Sequence, residues 1–229
     1  VKILKKFQLV KEDKKEFLQL PSPVRCTLLH VFSALSFSSG LQMNSGIEQI
    51  KVDAITPEEA AVLKALQYLE SIANKSYSYV LRELATPEEV DNAFDWANNS
   101  PYLQKKIHIL NKIYQRGDAL QKKAGNVILE TALYHSGFFA PLYLFGQGKM
   151  VRTAEIIKLA LRGTSFSGIY PGYKFRLGYK KLGKTEQEDL KHWIDNLYDE
   201  LVKNEEKHIR LLYKGTGWTE DALHYMYYS

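Results

Sequence analysis

Two glutamates stand inside stripes of apolar residues that repeat at helical spacing, where a buried carboxylate needs a chemical reason. The first stripe is Leu66, Glu70, Ala73, Tyr77 and Val80, and the second is Val127, Glu130, Tyr134 and Phe138. Two further stripes become small or polar near their middle or end, namely Leu28, Phe32, Leu35, Ser39 and Met43, and Ile157, Leu161, Thr164 and Ser167. Polar positions at one level of four facing helices are the layout of a metal site in a bundle core.

Composition limits the classes of function that these residues can serve. The 229 residues are 45% hydrophobic, enough for one sizeable core, and the net charge of +5 is spread without a strong basic block, so nucleic-acid binding gets little support. One cysteine, Cys26, excludes an internal disulfide framework and favours a reducing compartment, and without a signal peptide we expect the protein in the cytoplasm. The most apolar run, 127–145, contains Glu130, His135 and Pro141, which predicts a core helix and no membrane span.

Start and stop signals predict helix after helix and no strand. Thr56-Pro57-Glu58-Glu59 and Thr86-Pro87-Glu88-Glu89 are N-terminal capping patterns, Ser100-Pro101 is another start, and Asp118 is a cap. The predicted helices span about 24–45, 57–84, 87–98, 101–116, 119–145, 151–179 with a kink at Pro171, 185–212 and 218–228; residues 1–20 are ambiguous, and 46–56 are predicted as a loop. Four long helices should form a bundle, with shorter helices around it, in one domain covering residues 1–229.

Several stretches of the chain resemble the small, radical-bearing subunit of class I ribonucleotide reductase, closest to its class Ib type. The resemblance is carried by NKSYSYVLREL around Tyr77, VILETALYHSGFFAPLY around Glu130, and IIKLALRGTSFSGIYPGYKF, and by the linking stretches DNAFDWANNSPYLQKK and AITPEEAAVL. It covers nearly the whole chain, from about Leu28 to Tyr227. It implies an all-α, ferritin-like four-helix bundle with additional helices and a role in making deoxyribonucleotides.

The resemblance also implies a di-iron or di-manganese centre, with ligands in the order Asp, Glu-x-x-His, Glu, Glu-x-x-His. This chain keeps two of the six ligands, Glu70 and Glu130, and no histidine. The other four ligand positions hold Ser39, Ala73, Thr164 and Ser167. From this donor set we expect no cofactor in the form of a di-metal centre and at most one weakly held cation. His135 lies five residues after Glu130 and so points off its stripe; the other histidines also lie away from the ligand level.

Without metal, two carboxylates in a core cannot both stay charged cheaply, so we expect at least one to hold a proton. Ser39, Thr164 and Ser167 are expected to donate hydrogen bonds to the other. The space left by the missing ligands should form a wet, polar pocket.

The resemblance makes Tyr77 the radical position, whereas a buried tyrosine in a bundle is ordinarily a core residue with a bonded hydroxyl. The aspartate that relays the radical toward the large subunit is replaced by Gly163. Three possibilities stay open: a small subunit that supports a metal-free tyrosyl-type radical, a non-catalytic pseudoenzyme that binds or regulates reductase subunits, or a relic or engineered fold with no chemistry. The implied partners are a second copy in a homodimer, the large subunit and a flavodoxin-like activator, with no nucleic acid and no membrane.

Overall fold

Every element that the computed structural model assigns is helical; it describes the backbone of residues 2–228 and the side chains from Val10 to Tyr228. The α-helices are α1 (Lys2–Gln19), α2 (Ser22–Leu41), α3 (Ile47–Val52), α4 (Pro57–Leu84), α5 (Pro87–Asn99), α6 (Pro101–Arg116), α7 (Ala119–Ile128), α8 (His135–Gly146), α9 (Val151–Tyr179), α10 (Lys184–Leu212) and α11 (Thr219–Tyr227). Two π-helical segments interrupt them, π1 (Gln42–Gly46) between α2 and α3 and π2 (Leu129–Leu133) between α7 and α8. No strand occurs among residues 2–228, as the sequence predicts.

The capping patterns begin the helices where the sequence places them. Thr56 accepts a hydrogen bond from the backbone N–H of Glu59, and Thr86 forms a complete capping box with Glu89. Asp118 caps α7 by accepting from the N–H groups of residues 120 and 121. These side chains satisfy backbone donors that the first helical turn leaves without partners.

The bundle is built from α2, α4, α7 with α8, and α9. Helix α2 packs on α4, α5 and α8, and α9 packs on α7, α8 and α4. The remaining long helix, α10, packs on α6 outside this group. The stripes Leu28–Phe32–Leu35 and Tyr77–Val80, together with Phe138, lie fully in the shared core.

Helix α1 fixes the start of α9. The Asp13 carboxylate accepts hydrogen bonds from the backbone N–H groups of Thr153 at 2.6 Å and Arg152 at 3.3 Å, and Glu16 accepts from the N–H of Met150 at 2.7 Å. Carboxylates are favoured at a helix N-terminus because they meet both the free N–H groups and the positive end of the helix dipole. The first segment, which the sequence leaves ambiguous, is therefore the helix α1, and two of its carboxylates cap the N-terminus of α9.

One boundary differs from the sequence prediction. The sequence predicts a loop over residues 46–56, but the chain continues through π1 into α3, because Ile47 and Ile50 bury their side chains against Leu63 and Leu66 of α4. Helix α9 spans Val151–Tyr179 with Pro171 inside it, which matches the predicted bounds of that helix.

A buried ion pair ties α6 to α10. Lys106 Nζ lies 2.9 Å from Glu205 Oε2, both side chains are almost fully buried, and Ser136 donates a 2.5 Å hydrogen bond to Glu205 Oε1. Removing one partner of such a pair leaves a buried charge without compensation, whereas removing both leaves an apolar contact.

We predict that Lys106→Met lowers the free energy of unfolding by about 3–5 kcal/mol, and that Lys106→Met combined with Glu205→Leu recovers most of the loss. Urea titration measures both. The matched control is Lys105→Met, which breaks the half-exposed pair with Glu200 and should cost less than about 1 kcal/mol. Equal losses in the single and double variants would contradict this account of the pair.

Candidate functional site

The two glutamates of the sequence analysis lie deep in the bundle. Glu70 on α4 is 3% exposed and Glu130 on π2 is 1% exposed. The Tyr134 hydroxyl donates to Glu70 Oε2 at 3.3 Å, and the Gln42 side-chain amide donates to Glu130 Oε1 at 2.7 Å. The second oxygen of Glu130, Oε2, has no hydrogen-bond partner among the described residues. The site is thus a pair of buried carboxyls with few donors.

Burial raises the pKa of both carboxyls, and the charge of Glu70 adds to the rise at Glu130. Burial raises the pKa of Glu70 to about 7, against the smaller lowering effect of the hydrogen bonds from Tyr134 and Ser167. Burial, and then the charge of Glu70, raise the pKa of Glu130 well above its usual range. Near neutral pH the pair therefore holds a proton, and Glu130 is the carboxyl that keeps it. This agrees with the expectation from the sequence.

The predicted hydroxyl donors mostly serve the backbone instead. Ser39 donates to the carbonyl of Ser36 at 3.3 Å, and Thr164 donates to the carbonyl of Leu161 at 2.9 Å. A hydroxyl on a helix reaches the carbonyl three or four residues before it more easily than a group on another helix. The expectation that Ser39 and Thr164 donate hydrogen bonds to a carboxylate is wrong. Of the three predicted donors only Ser167 reaches one, at 3.5 Å from Glu70 Oε1.

The donors that do hold Glu130 form a network that the sequence analysis missed. The Tyr114 hydroxyl donates to Gln42 Oε1 at 2.8 Å, and the Gln42 amide donates to Asn126 Oδ1 at 2.5 Å as well as to Glu130. Asn126 in turn donates to the backbone carbonyl of Ser167 at 2.7 Å. One feature of the sequence points to Gln42, namely its position three residues after Ser39, on the same face of a helix. In the structure Gln42 is fully buried, whereas Met43, which the sequence analysis placed in the stripe, is only partly buried.

The π-helical segments explain why this network closes. In π2 the backbone N–H of Tyr134 bonds to the carbonyl of Leu129, five residues back, which inserts one residue into the turn that carries Glu130. The segment π1 begins at Gln42 itself. Both interruptions of regular helix therefore lie at the residues that face the carboxyl pair.

Tyr77 lies beside the glutamates and is 1% exposed. Its ring centroid is 6.3 Å from that of Phe32. Burial, and then the charges of Glu70 and Glu130, raise the pKa of the Tyr77 phenol well above its ordinary value, so the phenol keeps its proton at physiological pH. Tyr77 is therefore a neutral, buried phenol next to two carboxyls.

A cavity of about 220 Å³ brings most of the remaining sequence candidates together between α4 and α9. Glu70, Ala73, Tyr77, Gly163 and Thr164 all line it. Its other walls are largely apolar, so the expected polar pocket exists only at the end that meets Glu70. Ser39 and Glu130 are not among the lining residues. His135 lies outside the cavity, packed against Phe138 and Tyr225.

The fold and the carboxyl layer define a ferritin-like, carboxylate-bearing helical bundle, and the comparisons identify its family. The profile described as "Ribonucleotide reductase, small chain" matches residues 6–229. The chain belongs to the family of ribonucleotide reductase small chains, as the resemblance in the sequence indicated.

Three relatives illustrate the similarity. The chain is 37% identical over 217 residues to the ribonucleoside-diphosphate reductase subunit beta nrdF1 of Mycobacterium tuberculosis, which covers 95% of this chain and 67% of the relative. It is 34% identical over 201 residues to the ribonucleoside-diphosphate reductase 2 subunit beta of Escherichia coli, covering 88% and 63%. The chain thus spans about two thirds of the length of these curated relatives.

The third relative is a solved structure, the dimanganese(II)-NrdF of Streptococcus sanguinis. It is 41% identical, superposes with a TM-score of 0.93, and is matched over 95% of this chain and 77% of its own. The likeness supports the class Ib type and confirms the ferritin-like helical fold. No helix within residues 2–228 is long and apolar enough to cross a membrane.

The same relative corrects the cofactor expectation. The sequence analysis expected no di-metal cofactor, and that expectation is contradicted because a relative of such high similarity is a dimanganese(II) protein. The donor set is a separate observation: the described residues contain no group of three or more His, Cys, Asp and Glu side chains able to hold a metal ion. Two carboxyls without an imidazole do not fit a dinuclear centre.

The raised pKa values predict how stability depends on pH. The folded chain keeps protons on the pair that the unfolded chain has lost, so stability falls as pH rises from the ordinary glutamate value of 4.5 toward the folded-state pKa of Glu70, about 7. We predict that Glu70→Gln removes the part of this fall that Glu70 contributes, whereas the part due to Glu130 remains. Relative to its value at pH 4.5, the stability advantage of the variant over wild type should reach about 3 kcal/mol at pH 8.

Urea unfolding at pH 4.5, 6 and 8 measures this difference. The control is Glu188→Gln, which changes an exposed glutamate of α10 and should leave the pH dependence as in wild type. An advantage of Glu70→Gln that stays constant between pH 4.5 and 8 would show that Glu70 titrates normally in the fold.

Proposed function

We propose that this chain serves as a radical-bearing small subunit of a class I ribonucleotide reductase. In this role Tyr77 supports a tyrosyl-type radical and thereby the reduction of ribonucleotides to deoxyribonucleotides. The proposal is supported above all by one observation, the burial of Tyr77 beside Glu70 in the core of a chain that belongs to the small-chain family. The names of the relatives, each a beta subunit of a ribonucleoside-diphosphate reductase, agree with it.

The surroundings of Tyr77 suit a phenol that is oxidised and then protected. Formation of a neutral tyrosyl radical removes one electron and one proton from the phenol. The electron passes to an external one-electron oxidant, whose delivery we assign to the flavodoxin-like activator proposed below. Glu70 lines the same cavity and has a pKa of about 7, so its carboxylate is able to take up that proton. Phe32 lies near the ring and apolar residues of the core pack around it, which limits its contact with water.

The site differs from the ligand pattern that the resemblance implies, and we propose that it is degenerate. Ser39, Ala73, Thr164 and Ser167 would stand at lost ligand positions, and Glu70 and Glu130 would be the remaining carboxylates. Gly163 has no side chain to carry a proton or an electron, so the proposed function includes no transfer through that position. No contact or charge in the described residues favours the alternative of a non-catalytic pseudoenzyme.

The family also suggests the protein's partners. We propose that the chain forms a homodimer, works with a ribonucleotide reductase large subunit and is served by a flavodoxin-like activator in the cytoplasm. The support is the family and the resemblance to the class Ib type. Co-purification of the large subunit with the tagged chain from its own host tests the second of these.

We predict that electron paramagnetic resonance of protein freshly isolated from its host shows a tyrosyl-type signal that Tyr77→Phe abolishes. The matched control is Tyr114→Phe, which removes another fully buried tyrosine of the same polar layer and should retain the signal. A signal that survives Tyr77→Phe would place the radical elsewhere, and no signal in wild type would refute the proposed function.

A further inference from the structure

Helix α9 carries a row of side chains on its outer face that stay in contact with solvent. The row consists of six exposed residues, Arg162, Phe166, Ile169, Tyr173, Arg176 and Lys180. Successive members lie three or four residues apart, and this spacing keeps them on one face of a helix. Phe166 is 65% exposed, Ile169 67% and Tyr173 50%, so the middle of the row is apolar. Clustered large apolar side chains in contact with solvent mark a surface where another molecule binds.

Helix α4 lies beside the row and adds a second apolar edge. Lys174 of α9 pairs with Glu59 of α4 at 3.0 Å, and Phe166 lines one cavity together with Leu69. Leu69 is 36% exposed, and Val62, seven residues before it on the same face of α4, is 38% exposed. The row and this edge therefore form the two sides of an apolar groove between α4 and α9.

The far end of the same pair of helices already holds a helix, α1. It packs on both α4 and α9 and buries Phe17 in the core. Its acidic residues face the start of α9, where Glu12 lies 3.0 Å from Arg152 and Asp13 accepts hydrogen bonds from two backbone N–H groups. At this end, the α4–α9 pair is thus covered by an amphipathic helix whose carboxylates meet positive groups of α9.

The charges along the row determine which partner fits the uncovered part of the groove. Residues 156–185 contain no Asp or Glu. Arg162 lies at one end of the row and Arg176 and Lys180 at the other, and no ion pair among the described residues includes any of the three. A second copy of the chain that docked through the same row would bring these cations together in either direction, which is unfavourable. A partner with carboxylates at both ends of its contact surface balances them.

We propose that this groove binds an acidic amphipathic helix of a partner protein. Apolar side chains of that helix cover Phe166, Ile169 and Tyr173, and its carboxylates meet Arg162 and Lys180. The row extends over about 27 Å of α9, so a partner helix of about 18 residues matches it. Binding of this kind needs no radical, so it goes beyond the proposed function and can fail or succeed independently of it.

The test measures the fluorescence anisotropy of a labelled peptide that repeats the heptad LEALEEA three times and so forms an acidic amphipathic helix. Its control is the charge-reversed peptide that repeats LKALKKA. We expect saturable binding of the acidic peptide and none of the basic one. Because opposite charges attract in this complex, raising the salt from about 0.05 to about 0.5 M should weaken binding at least tenfold.

The apolar middle of the row is tested by the double variant Ile169→Ser with Tyr173→Ser. It should weaken binding of the acidic peptide at least about tenfold, because apolar contacts at the centre of an interface carry much of the binding energy. Both side chains are exposed, so the variant should keep its fold. The matched control is Tyr198→Ser, which removes a 46% exposed tyrosine of α10 and should bind the peptide as wild type does.

The charged ends of the row are tested by reversing their sign. The double variant Arg162→Glu with Lys180→Glu should lose the acidic peptide and bind the basic one instead. The matched control is Lys191→Glu with Lys203→Glu, which changes two exposed lysines of α10 and should keep the preference of wild type.

The proposal is overturned by an absence of saturable binding of the acidic peptide, or by equal affinity in wild type and the Ile169→Ser, Tyr173→Ser variant. It is also overturned if the wild-type chain sediments as a dimer that this variant dissociates, because the groove then belongs to a second copy. Binding of phosphatidylserine vesicles through the row, without binding of the peptide, would assign the row to a membrane surface and overturn the proposal as well.

Discussion

The constraint on which the rest of this site depends is a pair of buried carboxyls on which no cationic side chain of the described residues acts. A buried carboxylate needs donors, a counter-charge or a proton, and repulsion between Glu70 and Glu130 makes full ionisation of both unfavourable. The described side chains supply few donors and no cation to the pair, so a bound proton neutralises one of the two carboxyls. Burial, and then the charges of the same two carboxyls, raise the pKa of the Tyr77 phenol, which stays neutral until an electron is removed together with its proton.

Irregularities in the surrounding helices allow polar side chains to reach the carboxyl pair. Gln42 and Glu130 meet because each belongs to a π-helical segment, where one extra residue turns side chains that regular helix would direct elsewhere. Tyr114 and Asn126 then complete the hydrogen bonds of Gln42, so that a fully buried amide is satisfied on both sides. On the opposite side, toward α9, small residues leave a cavity in place of further donors.

Much of this could be predicted from the sequence. Threonine, proline and glutamate patterns mark the starts of α4 and α5 because capping is a local interaction, and the apolar stripes place Glu70, Glu130 and Tyr77 in the core. The π segments could not be predicted, since they arise from tertiary packing and no 3.6-residue period encodes them. Gln42 could have been found from its position three residues after Ser39, but Met43 was assigned to the stripe instead. Ser39 was assigned a partner on another helix although a backbone carbonyl lay nearer. The cofactor expectation was corrected only by comparison with a metal-bearing relative.

The most direct measurement of the central claim is infrared difference spectroscopy of the carboxyl groups at pH 7 in the isolated protein, with Glu130→Gln as the reference. We predict a C=O stretch of protonated, buried carboxylic acid in wild type that weakens in Glu130→Gln, where only the partly protonated Glu70, with a pKa of about 7, still contributes. If wild type shows only ionised carboxylates at pH 7, a counter-charge balances the pair, and the account of a shared proton in the core is wrong.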